Sequence, residues 1–181
     1  MEQPNSPLDR YFYLCYFTLL EKTDNITQSD ISVELVLSQN ETAKNAHKTL
    51  FSFNDSAYLI FNGNIIDSIQ SSTVKNIKKL HLTLGWENIL KVALWTNEKP
   101  LIHDVLSFIK KSGSEEDELV IFKKSDFHDI FPWLYYGKRF DILRKICNSA
   151  KAKAETKIAK QITVYCHLFS DETKNIVASS L

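Results

Sequence analysis

The chain has 181 residues, with 22 basic and 22 acidic side chains and 44% hydrophobic residues. That is enough sequence for one domain, burying roughly 70% of its unfolded surface with no need of a disulfide or metal staple. Four glycines in the whole chain argue against Gly-rich nucleotide loops and against barrels with many tight turns, and a net charge of zero argues against nucleic-acid binding by the chain as a whole.

Residues 1–6 are polar. Pro7 suits a first helical turn with Ser6 as its cap, and a helix is predicted over 8–22. Its apolar run 11–20 has the length of a signal-peptide core. Glu2 and Asp9 oppose Arg10 ahead of it, no small-residue cleavage site follows, and ten residues do not span a bilayer. A cytoplasmic, reducing location and no membrane span are therefore expected. Over 29–38 the alternation of Ile31, Val33, Leu35 and Leu37 favours a strand, while Ser29, Asp30 and Glu34 favour a helix start; the balance leans to helix. Asn40 caps a clearer helix over 41–51, with Ala43, Ala46, Leu50 and Phe51 on one side.

Asn62-Gly63-Asn64 between the apolar runs 57–61 and 65–69 predicts a β-hairpin. A lone hairpin is marginal, so a third strand is expected at 81–84 or 119–122. A short helix is predicted over 73–79. Two helical pairs follow. The first covers 86–97 and 100–112, the second 125–136 and 138–149. Ser125 is the predicted cap of the second pair, Pro132 marks a start or kink, Gly137 is a stop, and Phe140, Leu143, Ile146 and Cys147 define an inward face. Residues 115–118 form an acidic loop. A further helix is predicted over 155–169, and Asp171 caps a last one through Val177. The expected fold is α+β and predominantly α-helical, with helical pairs packed on a small antiparallel β-hairpin sheet. It is one compact domain over 1–181: N-terminal helices in 7–53, a hairpin region in 57–84 and a helical half in 86–181.

The segment 88–109, NILKVALWTNEKPLIHDVLSFI, resembles an ankyrin repeat in Leu90, in Ala93 three residues on, and in Val105-Leu106. The segment 129–147, DIFPWLYYGKRFDILRKIC, can be laid on it without the alanine, and it also resembles an F-box. The ankyrin Thr-Pro-Leu-His turn is missing, and the spacing is about 41 residues rather than 33, so no functional residue carries over.

Charge is unevenly spread. Residues 1–137 hold 13 Lys/Arg against 18 Asp/Glu, whereas 138–160 hold eight against two. An acidic body with a basic helix suits docking on an acidic protein surface. Trp133, Tyr135, Tyr136, Lys138, Arg139, Arg144 and Lys145 are the candidate partner-binding residues. No catalytic constellation, cofactor motif or metal site is expected. His81 and His103 stand apart from ligands, Cys166 and His167 are neighbours on a predicted helix, and His128 reads as solvated or capping. The three cysteines, Cys15, Cys147 and Cys166, read as small buried hydrophobes. The favoured function is a non-catalytic interaction module: an adaptor, a chaperone-like or an immunity-type protein. The rivals are an enzyme with a Cys/His or carboxylate site assembled in three dimensions, and a nucleic-acid binder using 138–160. The oligomeric state is left open.

Overall fold

The computed structural model describes residues 33–72, 77–158 and 162–180. The predicted helix over 8–22, with Cys15, lies outside them.

The sheet is built from strands buried on both faces. It comprises β1 (Val33–Ser38), β2 (Tyr58–Ile60), β3 (Ile77–Leu84), β4 (Thr163–Ser170) and β5 (Asn175–Ser179), in the order β2-β1-β3-β4-β5. The first four run parallel, and β5 pairs antiparallel with β4 at the edge. This overturns the expected small antiparallel hairpin sheet: among the described residues the sheet has five strands and is mixed. Its helices are α1 (Glu41–Leu50), α2 (Ile65–Ser72), α3 (Trp86–Leu94), α4 (Ile102–Lys111), α5 (Glu116–Leu119), α6 (Ile130–Tyr136) and α7 (Phe140–Lys157).

The hairpin prediction failed at its second arm. Gly63 does take a left-handed turn, at φ +84°. Asn64 then caps a helix, its side-chain oxygen accepting from the Ile66 amide at 2.8 Å. Ile65, Ile66 and Ile69 bury as i, i+1 and i+4, a helical spacing. The lean to helix over 29–38 gives way to β1, whose alternating Leu35 and Leu37 face the main core. The helix predicted over 155–169 ends as α7 at Lys157, and β4 follows. A parallel strand buried on both faces has a continuous apolar run, which can mimic helical spacing. The helix predicted after Asp171 is instead a turn and β5, with Lys174 at φ 57°. Over 119–122 the chain is helical, not a strand. Glu118 closes a capping box on the Glu115 amide at 3.1 Å, so the acidic loop is a helix start. Of the predicted helix over 73–79, residues 77–79 belong to β3.

Other predictions held. Asn40 caps α1, its Oδ1 accepting from the Ala43 amide at 2.8 Å. Residues 81–84 are a strand, and α3 and α4 form within the helices predicted over 86–97 and 100–112, α4 burying Val105 and Ile109 while Leu101 is exposed. Asp126 rather than Ser125 caps the turn before α6, and Pro132 sits in the first turn of α6, where its missing N–H costs nothing.

The two faces of the sheet differ. On one, Leu35, Leu37, Leu80, Leu82, Leu84, Val164, Cys166 and Leu168 join a single apolar core with α2, α3, α4, α6 and α7. Helix α7 commits Ile142, Leu143, Ile146, Cys147, Ala150 and Ala154 to it. On the other face lie Val36, Ser38, Tyr58, His81, Thr83, Tyr165, His167 and Phe169, by strand alternation. There α1 turns only Ala43, Ala46 and His47 inward. No helix among the described residues is long and apolar enough to cross a membrane.

Candidate metal centre

That second face holds three buried histidines from three separate elements. His81 lies mid-strand on β3, His167 on the neighbouring β4, and His47 projects from the last turns of α1. They are 0–4% exposed. His47 Nε2 is 3.3 Å from His81 Nδ1, and His81 Nδ1 is 3.1 Å from His167 Nε2. All three atoms fall within 4.8 Å of one another. Nitrogens about 2.05 Å from a tetrahedral ion stand about 3.3 Å apart, so these separations are those of a shared ligand shell.

Proton bookkeeping points the same way. A neutral imidazole nitrogen carries either one hydrogen or one in-plane lone pair. His81 Nδ1 faces two partners and can make a full hydrogen bond with only one of them. A cation at the meeting point uses all three lone pairs at once. The outward nitrogens are arranged to match. His47 Nδ1 is 3.0 Å from the Tyr58 hydroxyl, which donates to the Phe51 carbonyl at 3.3 Å. His167 Nδ1 is 2.9 Å from the Ser179 hydroxyl. Fixing the outer nitrogen of a ligating histidine is the usual office of a second sphere.

Burial pushes His47 and His81 down to about 4 and His167 to about 3, with mutual repulsion adding to His47 and His167. The rings are therefore neutral near pH 7, the form that binds metal. Phe51 and Phe53, both half-buried, wall the cluster. The Phe51 ring lies 5.2 Å from that of His167, and the Phe53 ring 5.1 Å from that of His81.

The expectation of no metal site treated His81 as isolated and placed Cys166-His167 on a helix. On β4 those two point to opposite faces: Cys166 enters the apolar core and His167 the histidine cluster. The missed signal was a histidine inside a doubly buried run, Leu80-His81-Leu82 and Cys166-His167-Leu168. Neither described cysteine is set up as a nucleophile. Both are buried, Cys147 is pushed up to about 12 and Cys166 well above its ordinary value, chiefly by desolvation.

The candidate partner-binding residues are less uniform than expected. Trp133 is half-buried, its ring 5.3 Å from Phe122, and Tyr135 stacks on Phe131 at 5.9 Å. Arg139 is engaged by Glu118 at 3.3 Å and the Gly113 carbonyl at 3.2 Å. Tyr136 is exposed and donates to Glu172. Lys138, Arg144 and Lys145 are exposed and make no ion pair among the described residues. Phe140, expected inward, sits in the first turn of α7 and is exposed. Of the remaining histidines, His103 and His128 are both exposed and lie beside carboxylates.

The strand order places a second concavity beyond the carboxyl ends of β1 and β3, where doubly wound sheets bind ligands. Gln39 ties its lining together. Gln39 Oε1 accepts from the Gly85 amide at 2.5 Å and from Asn88 at 3.4 Å, while its Nε2 donates to Asp171 at 3.5 Å. Compared with family profiles, characterised proteins and solved structures, the chain has no match.

Proposed function

We propose that this protein binds a divalent transition-metal ion of the zinc class through His47 Nε2, His81 Nδ1 and His167 Nε2. The observation that carries this is the convergence of three buried nitrogens, at 3.1 and 3.3 Å, on a point no single proton arrangement satisfies. An all-imidazole shell suits zinc, copper, iron or nickel and disfavours magnesium and calcium, which take oxygen. Titration of chelator-stripped protein with zinc should show one site per chain. At a free zinc concentration of about 100 Kd, the melting temperature should rise by roughly 5–10 °C. Replacing any one of the three histidines by alanine should abolish that rise. No zinc-dependent rise in the parent protein would overturn the proposal.

A second reading is docking on an acidic protein surface, favoured by exposed Tyr136 and Phe140 lying in the same stretch as the exposed cations Lys138, Arg144 and Lys145, which have no ion-pair partner among the described residues. It fits an adaptor in a reducing, cytoplasmic setting, where the buried thiols Cys147 and Cys166 stay free. Charge reversal at Arg144 and Lys145 should release a native partner at unchanged fold stability. Retention of every partner by that variant and by Tyr136→Ala would exclude this surface.

A further inference from the structure

We propose that the ion held by the three histidines keeps one coordination position open, and that this position takes a small anion or a water-derived hydroxide resting against the hydroxyls of Ser38 and Thr83. The proposal rests on the metal-binding reading above.

The donor count comes first. Zinc is four-coordinate, and among the described residues the cluster supplies three nitrogens with no carboxylate or thiolate joining them. The nearby hydroxyls of Tyr58 and Ser179 are engaged by the outer nitrogens of His47 and His167. Moving either oxygen onto the ion would release the ring it orients. Among the described residues no side chain is left for the fourth position, which is then open to an outside ligand.

Two further hydroxyls show where it would lie. Ser38 Oγ and Thr83 Oγ1 are fully buried and have no hydrogen-bond partner among the described residues. They are neighbours in the sheet: Ser38 pairs with Thr83, and Thr83 pairs with His167. Thr83 also follows His81 by two residues, so it shares that histidine's face. A buried hydroxyl left unpaired is costly, and two side by side next to a cation site form a donor pair with nothing to donate to. An oxygen or nitrogen anion on the ion satisfies both.

Charge supports the same occupant. Three neutral imidazoles leave a divalent ion uncompensated in a buried site. The acid on this face of β1, Glu34, is held 2.5 Å from Lys79. A monovalent anion or hydroxide offsets half of that charge, and metal-bound water becomes acidic enough, near pH 7, to supply hydroxide.

The test uses cobalt(II) as a coloured stand-in for zinc on the full chain, with azide as the anion. Cobalt should bind once per chain with the intense visible bands of low coordination, and azide should shift those bands saturably. Ser38→Ala combined with Thr83→Val removes both hydroxyls at nearly constant shape. It should leave cobalt affinity within about threefold but weaken azide about tenfold. These substitutions delete unpaired groups, so the variant should fold at least as well as the parent, which circular dichroism checks. Phe53→Ala, which thins the wall, should speed azide binding without changing cobalt stoichiometry. Cobalt bound with bands that azide never shifts would overturn the open position while leaving the metal site standing. An azide shift of equal affinity in the double variant would overturn the role of Ser38 and Thr83. Failure to take up cobalt at all would overturn the metal site, and this proposal with it.

Discussion

Tyr58→Phe separates a metal centre from a merely hydrogen-bonded polar core. The ring is buried at 3% exposure and packs edge-on to His47 at 5.5 Å, so phenylalanine keeps the shape. Only the hydroxyl is lost, and with it the 3.0 Å contact to His47 Nδ1 and the bond to the Phe51 carbonyl. Without metal, the variant should lose about 1–2 kcal/mol, the usual cost of stranding buried polar partners. With metal there is a second loss, because His47 is no longer held in the tautomer and ring angle that aim Nε2 inward. Removing such a partner lowers metal affinity by roughly 10–100-fold, or about 1.4–2.7 kcal/mol. Competition against a chromophoric chelator reads the affinity directly, and thermal unfolding with and without zinc reads the two losses separately. A variant with reduced stability but zinc affinity within threefold of the parent would refute the claim that Tyr58 orients a ligand.

Three other predictions follow from the described residues. The histidines titrate at about 4, 4 and 3 when folded, against about 6.5 when unfolded, so between those values the unfolded chain binds more protons and stability rises with pH. The metal-free protein should therefore have a flat urea midpoint from pH 8 to 7 and a falling one from about 6.5 towards 4; equal midpoints at pH 7 and 5 would contradict the neutral, buried assignment. Cys147 and Cys166 should resist iodoacetamide in the native state and react fully in urea, since burial holds both thiols protonated; peptide mass spectrometry distinguishes them from Cys15. A Cβ added at Gly85 would meet the Gln39 amide at 2.8 Å, so Gly85→Ala should cost about 1–3 kcal/mol, and Gln39→Ala in the same chain should recover part of it.

What was legible in the sequence was local. Asn40 and the apolar spacing of α3 announce themselves within one or two helical turns, and so does the stop at Gly137, whereas Leu50 of the stripe expected on α1 is exposed and His47 is buried in its place. The strands were harder, because in a parallel sheet each strand's partner is distant in sequence and burial on both faces removes the alternation that marks a strand. The run Thr163–Ser170 shows this: Val164, Cys166 and Leu168 face one layer, and His167 and Phe169 the other, so nothing in it alternates between apolar and exposed. At 57–69 the turn was correctly placed at Gly63, but a turn does not decide what it delivers, and the isoleucine spacing after it was helical. The candidate metal centre was illegible for the same reason as the sheet. Its histidines are 34 and 86 residues apart, a spacing that matches no local motif and becomes meaningful only when α1 lies over the paired strands β3 and β4.

The unequal faces of the sheet would make a bound ion part of the architecture. One face is secured by a large apolar core; among the described residues the other is covered by α1, a helix of ten residues that buries two alanines and a histidine. A helix of that length is marginal in isolation. The small apolar cluster beneath it is Ala43, Ala46 and Phe169, so much of its hold on the sheet passes through His47. Binding energy of a metal at His47 is then docking energy for α1. Hydrogen exchange tests this coupling. In the metal-free protein, amides of α1 should exchange faster than the buried amides of α7, by an opening smaller than global unfolding. Zinc at about 100 Kd should slow the α1 amides about 100-fold, since the open form has lost a ligand. If α1 is as well protected as α7 before zinc is added, the helix opens only with the whole fold, and the ion is not what fastens this layer to the sheet.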